Sequence, residues 1–571
     1  MNSDKEPVTA KRPGVRLVTV AGDTGSGWLK LARFLGLVLL MSAVTVALQW
    51  NNGVYSSELN GYPDEAAHLI TGLMVRDYLV SGMSESPVRF AENYYLHYPK
   101  VGFGIWPPLF HFFEAAWFLI TPPGKLSALV LQGLITGTLA ACVAWMSLPF
   151  GWWIALAAGL GLIGLPTVQA FTGMVMADNL MCLIAFLAMM MFRRYGETGR
   201  SRDLYGFGIL SGLALMTKSN AAGLGLLPLI SLVLLRQWRQ IVSWPMAIAA
   251  GLALTVALPW QLLVMRFWTL ATSAKRYTLD YALLMLKVHL SMYMNMPGGV
   301  VLTLAVYGIA TRVLVPYWRG RVESTWAVLS GLVVGMFLFG LAPLPPEPRY
   351  HVGSMAGMLV FAAVGLWDLA QKAQRRRGWW AGYAAVGLVG FLYLVTTPRV
   401  IQRPPVGYGE VARRITADPT LRDAVVLVSS ENMGEGMMIS EIAPLEARPG
   451  RYVLRATKML SRSRWNLDRY ELLYKDTDEM ERFFESIPVK LLVYDTTKGV
   501  MDMPHHRLLA ELLEKRKDRW RLVGVYPQQT APAGGQLFLY ELLGEDGKPR
   551  QSIKIDMKYT LQRVLGNEVG R

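Results

Sequence analysis

Apolar runs near the roughly 20 residues needed to cross a hydrocarbon core dominate the chain up to residue 397. They delimit twelve candidate spans: 33–50, 105–120, 126–148, 150–166, 178–192, 204–218, 220–236, 243–264, 298–315, 324–343, 351–369 and 379–397. In the polar stretch 51–104 the pattern changes. From Asp64 onward, Leu69, Ile70, Leu73, Met74, Tyr78 and Leu79 fall largely on one side of a helix, with Glu65, His68, Arg76 and Asp77 among its polar positions. Pro63 pre-sets the backbone for helix entry, and a helix this short and mixed is expected to lie flat at the membrane surface. After residue 397 the period alternates, giving strands at 424–430, 489–497, 520–527 and 536–542 and amphipathic helices at 476–487 and 504–517. The pattern predicts a polytopic α-helical membrane protein of about 11–13 transmembrane helices, with amphipathic interfacial helices in its first outer loop and a C-terminal α/β domain. The expected boundaries are a tail 1–32, a membrane body 33–397 with the first outer loop at 51–104, and an α/β domain 398–571.

Composition agrees: 53% of the 571 residues are hydrophobic and 17% charged, which a soluble globular chain of this size does not show. The net charge of +16 is carried largely by basic clusters between apolar runs. These are "RRYGETGRSR" from Arg193, "RQWRQ" from Arg236, "YWRGR" from Tyr317 and "QKAQRRR" from Gln371. The positive-inside rule places all four in the cytoplasm, so membrane lipids are the expected surroundings and nucleic acid is not a partner. The N-terminal cations Lys5, Lys11, Arg12, Arg16, Lys30 and Arg33 likewise put that end inside. Asp178, "MTKS" from Met216, the 266–297 loop, "PPEPRYH" from Pro345 and everything after 397 then face outward. The expected location is the plasma (inner) membrane, multi-pass, with a cytoplasmic N-terminus and an extracytoplasmic α/β domain. Twelve full crossings would leave the C-terminus inside, so one segment between 105 and 178 must be partial or re-entrant. Pro107 and Pro108 single out 105–120. Cys142 and Cys182 lie in apolar runs, as buried thiols do. Gly434-Glu435-Gly436 reads as a turn after the first strand of the α/β domain.

Candidate chemistry collects on the outer side. Adjacent Asp64 and Glu65 open a helix, where acids usually cap. Asp178 stands in "GMVMADNL" and Lys218 in "LMTKSN"; Glu347, Arg349, Tyr350 and His351 stand in "LPPEPRYH", and His97 and Lys100 in the aromatic stretch 93–112. Carboxylates and cations from separate parts of the chain are thus expected at one level. An anionic lipid substrate requires that arrangement, with cations for its phosphate and a carboxylate for the attacking group. Asp64 and His68, four apart on a helix, together with Asp178 are also the residues that would hold a divalent cation, Mg2+ or Mn2+ being the best fit to oxygen donors.

In their order along the chain, "YPDEAAHL", "PPLFHF", "GMVMADNL", "GLALMTKSN" and "PPEPRYHV" resemble the GT-C superfamily of integral-membrane glycosyltransferases over roughly residues 30–400. The similarity is to the branch of protein O-mannosyltransferases and the lipid A aminoarabinose transferase. The resemblance implies a hexosyl- or pentosyltransferase using a polyprenyl-phosphate-linked sugar donor, with undecaprenyl phosphate as one such carrier. An acceptor lipid, glycan or protein would displace the lipid phosphate at the outer face, with inversion. It implies Asp64 as catalytic base or acceptor-orienting carboxylate, Glu65 as its positioning partner and Asp178 as a second acid. Lys218 and Arg349 would meet the departing phosphate, and Lys100, His97, His68, Tyr350 and His351 would bind substrate. Trp106 stands where related sequences often carry a lysine before the proline, and Lys100 is the expected substitute. Two other readings use the same residues: a transporter or flippase of lipid-linked sugars, which needs broken or charged helices near the midplane and often repeat symmetry, and a noncatalytic envelope-assembly scaffold.

Overall fold

The computed structural model describes residues 27–102, 104–271, 278–341, 346–397, 402–463, 470–529, 535–544, 552–557 and 563–568. Most of the expected N-terminal tail lies outside these residues.

An unbroken apolar run gives α1 (Gly27–Asn51), about 37 Å long at 1.5 Å per residue. The first loop folds as α2 (Glu65–Val80) and α3 (Pro87–His97), and the membrane body continues with α4 (Leu109–Ile120), α5 (Lys125–Ser147), α6 (Trp152–Gly164) and α7 (Pro166–Thr172). Then come α8 (Asp178–Thr198), α9 (Ser201–Leu215), α10 (Leu226–Leu234), α11 (Trp244–Ala271), α12 (Leu279–Asn295) and α13 (Gly298–Ile309). The last are α14 (Val315–Trp318), α15 (Ser324–Gly340), α16 (Val352–Arg377) and α17 (Trp379–Thr396). Every expected span contains a helix. Among the described residues six segments are long and apolar enough to cross a bilayer: α1, the α5 segment, α11, the α13–α14 run, the α16 segment and α17. In the segments built on α5 and α16, 72% and 83% of the apolar window is buried and these form the centre, whereas in Trp244–Met265 of α11 and in α17 only 17% and 11% is, so these turn apolar surface outward. Gly137 allows α5 to press on α1, because a Cβ there would stand 2.4 Å from the Ser42 Cα.

Two segments between 105 and 178 fall short of a full straight crossing. The Pro107–Pro108 pair delays α4 until Leu109, leaving a helix of about 18 Å, and α6 and α7 meet at 65° where Pro166 breaks the run.

Three expectations are corrected. The 266–297 loop is largely helical: α11 runs on to Ala271, and α12 is capped by Thr278, whose hydroxyl accepts the Tyr281 N–H at 3.2 Å. Asp280, Lys287 and His289 interrupt the apolar pattern there and hide the helix. Second, α2 does not lie with one face in water: Glu65 to Leu73 are all buried, with Gly72 against Glu114 of α4 and Ala66 against Gly436 of the α/β domain. Third, Gly434-Glu435-Gly436 belongs to a helix, because Glu435 is bound there by Arg455 and Thr457.

The α/β domain holds a five-stranded sheet of β1 (Val425–Ser429), β2 (Val453–Arg455), β3 (Val489–Asp495), β4 (Trp520–Pro527) and β5 (Gln536–Leu542). Its order is β2-β1-β3-β5-β4, with β2, β1 and β3 parallel and β5 antiparallel to both β3 and β4. The domain's larger helices are α18 (Tyr408–Ala417), α19 (Asn432–Ile442), α20 (Thr477–Ser486) and α21 (Pro504–Lys515). All four strands and both helices expected from the period are present. The domain is seated on the first loop by buried polar contacts. Asp77 receives Arg448 Nε at 2.7 Å and Nη2 at 3.2 Å, and Glu58 accepts the N–H groups of Val406, Gly407 and Gly409 at 2.6, 3.0 and 2.9 Å.

Candidate active site

The chain reverses just before α2, and the two acids there divide the work. Glu65 is fully buried and braces the turn: Oε1 accepts the N–H groups of Gly61 and Tyr62 at 2.7 and 2.9 Å, and Oε2 accepts that of Val175 at 3.1 Å. Asp64, at the N-cap position, makes no side-chain cap bond. Its carboxylate instead faces Arg349, whose Nη1 lies 3.8 Å from Oδ2. Burial pushes the Asp64 carboxyl above its usual range, and Arg349, Lys100 and Lys218, in that order, draw it back. Glu65 is likewise raised by burial and lowered by Arg403 and its three N–H donors.

Arg349 is held from several sides. Its Nε lies 2.7 Å from Glu347 Oε2, its Nη2 donates to the Tyr62 hydroxyl at 3.2 Å, and its guanidinium stands 4.4 Å from the Tyr62 ring centre. Tyr62 donates in turn to Glu347 Oε1 at 2.7 Å. Asp178 opens α8, where the helix dipole favours an anion. Lys218, in the link from α9 to α10, donates to Asp178 Oδ1 at 2.5 Å and stands 5.4 Å from the Tyr350 ring centre. Asp178 Oδ2 is buried with no hydrogen-bond partner among the described residues. The first loop, the head of α8, the α9–α10 link and the head of α16 thus supply one cluster. Asp64, Asp178, Lys218, Arg349 and Tyr350 belong to it.

The other expected residues sit around this cluster in different roles. Lys100 is buried and donates to Asn432 of α19, through the backbone oxygen at 2.9 Å and Oδ1 at 2.7 Å. His97 stacks on Tyr452, ring centres 3.9 Å apart, and bonds the Gly450 carbonyl, so it belongs to the domain contact. His68 Nδ1 pairs with His111 Nε2 at 3.0 Å, and its ring packs 4.4 Å from that of Trp106. His351 Nε2 pairs with His289 Nδ1 of α12 at 2.8 Å. Among the described residues no three His, Cys, Asp or Glu side chains are grouped as metal ligands: His68 turns to His111 and Asp178 to Lys218. Tyr62, His289 and Asn432 are neighbours that no sequence pattern marks. Glu347, two residues before Arg349, was legible as part of its motif.

The buried acid and cation cluster thus lies at one end of the helical body, beside the first loop on which the α/β domain is seated. Residues 106–263 match the family model described as dolichyl-phosphate-mannose-protein mannosyltransferase, a stretch holding Asp178 and Lys218. The fold is similar to that of ArnT from Cupriavidus metallidurans bound to undecaprenyl phosphate, at 14% identity and TM-score 0.52, covering 90% of this chain and 99% of that one. The same protein in its apo state gives a TM-score of 0.53 at 14% identity, with coverages of 90% and 99%. The apo oligosaccharyltransferase of Archaeoglobus fulgidus gives 0.50 at 11% identity, covering 89% of this chain and 75% of that one. At such identities the likeness is one of fold. No curated protein sequence matches the chain.

Proposed function

We propose that the chain is a glycosyltransferase that moves a sugar from a polyprenyl-phosphate carrier to an acceptor at the outer face of the membrane, with inversion. The observation that carries this reading is the Asp64 carboxylate, left without a capping bond, buried, and acted on by Arg349, Lys100 and Lys218. The family model matched over 106–263 supports the donor class, and the ArnT likeness, where the bound molecule is undecaprenyl phosphate, supports the carrier.

In this reading Asp64 takes the proton of an acceptor hydroxyl as its oxygen bonds to the anomeric carbon. The bond from that carbon to the phosphate oxygen breaks, its electron pair leaves with the lipid phosphate, and attack from the opposite side inverts the centre. Negative charge grows on the departing phosphate, so fixed cations in a water-poor site lower the barrier. Arg349, Lys218 and Lys100 are the groups in place to do so. Asp178 holds Lys218, Glu347 and Tyr62 hold Arg349, and Glu65 holds the turn that presents Asp64. Asp64, His68 and Asp178, the residues expected to hold Mg2+ or Mn2+, are not grouped as ligands among the described residues, so no step is routed through a metal.

The test is sugar transfer by membranes carrying wild type or Asp64→Asn, with envelope glycans and glycoproteins read by mass spectrometry. Loss of a general base lowers the rate by about 100- to 10,000-fold. Equal transfer by the two proteins would overturn the assignment.

A further inference from the structure

In the parallel part of the sheet the strand order reverses between β1 and β3. From β1 the chain passes through α19 to β2 on one side, and then returns to β3 on the other side of β1. The carboxyl ends of β1 and β3 therefore send their connections apart. Ser430, Glu431 and Asn432 follow β1 at this point, and Asp495 ends β3. Ser430 and Asp495 are bonded to each other at 2.6 Å and to the Tyr408 hydroxyl at 2.8 Å, so the two strand ends are tied together. Asn432 meets a side chain from the membrane body, Lys100.

The contact is specific. Asn432 Oδ1 accepts from Lys100 Nζ and from Arg455 Nη2, both at 2.7 Å, so two cations fix which end of the amide faces them. Arg455 is anchored by Glu435 at 2.7 Å and donates to the Pro99 carbonyl at 3.2 Å, next to Lys100. Gly436, one turn further along α19, has no room for a side chain: a Cβ would lie 3.0 Å from both Lys100 Cε and Ala66 Cβ. Ala66 is two residues from Asp64. The groups acting on the Lys100 ammonium are Asp64 from the membrane body and Arg455, Glu435, Lys458 and Glu431 from the α/β domain.

We propose that α19 is a working part of the site in the membrane body: Asn432 is a positioning residue that fixes the Lys100 ammonium beside Asp64. The α/β domain then sets the cation field in which the phosphate carrier is held. The inference rests on the reading of the site as one for a polyprenyl phosphate.

The experiment is a double-mutant cycle on the purified full-length protein, with undecaprenyl phosphate as the probe and its Kd as readout, using Lys100→Met, Asn432→Leu and the double variant. Asn432→Leu should weaken binding about tenfold, a loss of roughly 1.4 kcal/mol and within the scale of one charge-assisted hydrogen bond. It should add nothing once Lys100 is gone. Asn432→Ala makes the same comparison with a smaller side chain should the leucine not fold. Wild-type affinity in the Asn432 variants overturns the inference, as does a loss that persists in full in the Lys100→Met background, the mark of a merely structural role. If the wild type does not bind undecaprenyl phosphate, the carrier reading itself fails and this inference with it.

Discussion

At the residue scale the site depends on the contrast between two neighbouring carboxylates. Glu65 satisfies three backbone N–H groups, while Asp64, one residue earlier, makes no capping bond and is approached by Arg349 at 3.8 Å. In the proposed reaction Asp64 is the base, and a base must be ionised to work. In the fold the Asp64 carboxyl is raised above its ordinary 3.8 by burial, and Arg349 is the first of the cations that oppose this rise. Transfer should therefore fall as pH drops through that raised value. Removing the Arg349 charge lifts the carboxyl further, so the acid limb of the profile in Arg349→Met should move to higher pH, apart from any loss in maximum rate. An unmoved limb would show that Asp64 is not the titrating base.

At the scale of elements, α2 links the two halves of the molecule. Its first residues border the acid and cation cluster, and near its far end Asp77 grips Arg448 of the α/β domain in a pair with side chains 8% and 6% exposed. Removing one partner of such a pair leaves a buried charge unmatched, at a cost of up to about 3–5 kcal/mol. Arg76, 2.8 Å from Asp77, and the Tyr94 hydroxyl at 3.0 Å remain to share it, which reduces the cost. Arg448→Met should thus loosen the domain contact without unfolding the membrane body. Hydrogen exchange would rise in α3 and in the segment leading into β2, where His97 bonds Gly450. Unchanged exchange at both would show that the domain is held by its other contacts.

At the scale of the whole molecule the charge pattern predicts sidedness. The two native cysteines, Cys142 and Cys182, are buried, so an introduced thiol can be labelled selectively. A cysteine at Glu514, exposed on α21, should react with a membrane-impermeant maleimide added to spheroplasts. One at Arg376, exposed at the end of α16, should react only after permeabilisation. The opposite pattern would invert the topology and move the proposed transfer to the cytoplasmic face.

The sequence by itself determined the elements whose signal is local. Twelve apolar runs contain helices, and period-two strands and amphipathic helices after residue 397 stand where the alternation puts them. Hydrophobic period is a property of near neighbours, and a single chain states it. The same locality explains the failures: α12 is masked by charges its fold tolerates, and α2 looked half-exposed because the domain that covers it lies more than 300 residues away. The residues of the cluster were legible singly, as acids and cations on the expected outer side. Their partnerships were not. That Asp178 takes Lys218, that Tyr62 holds Arg349, and that Asn432 holds Lys100 follow from distances between segments 40 to 332 positions apart. The packing of α8 against α9 and of α2 against α4 and α19 fixes those distances, and burial leaves each charge to the partner the tertiary fold brings to it.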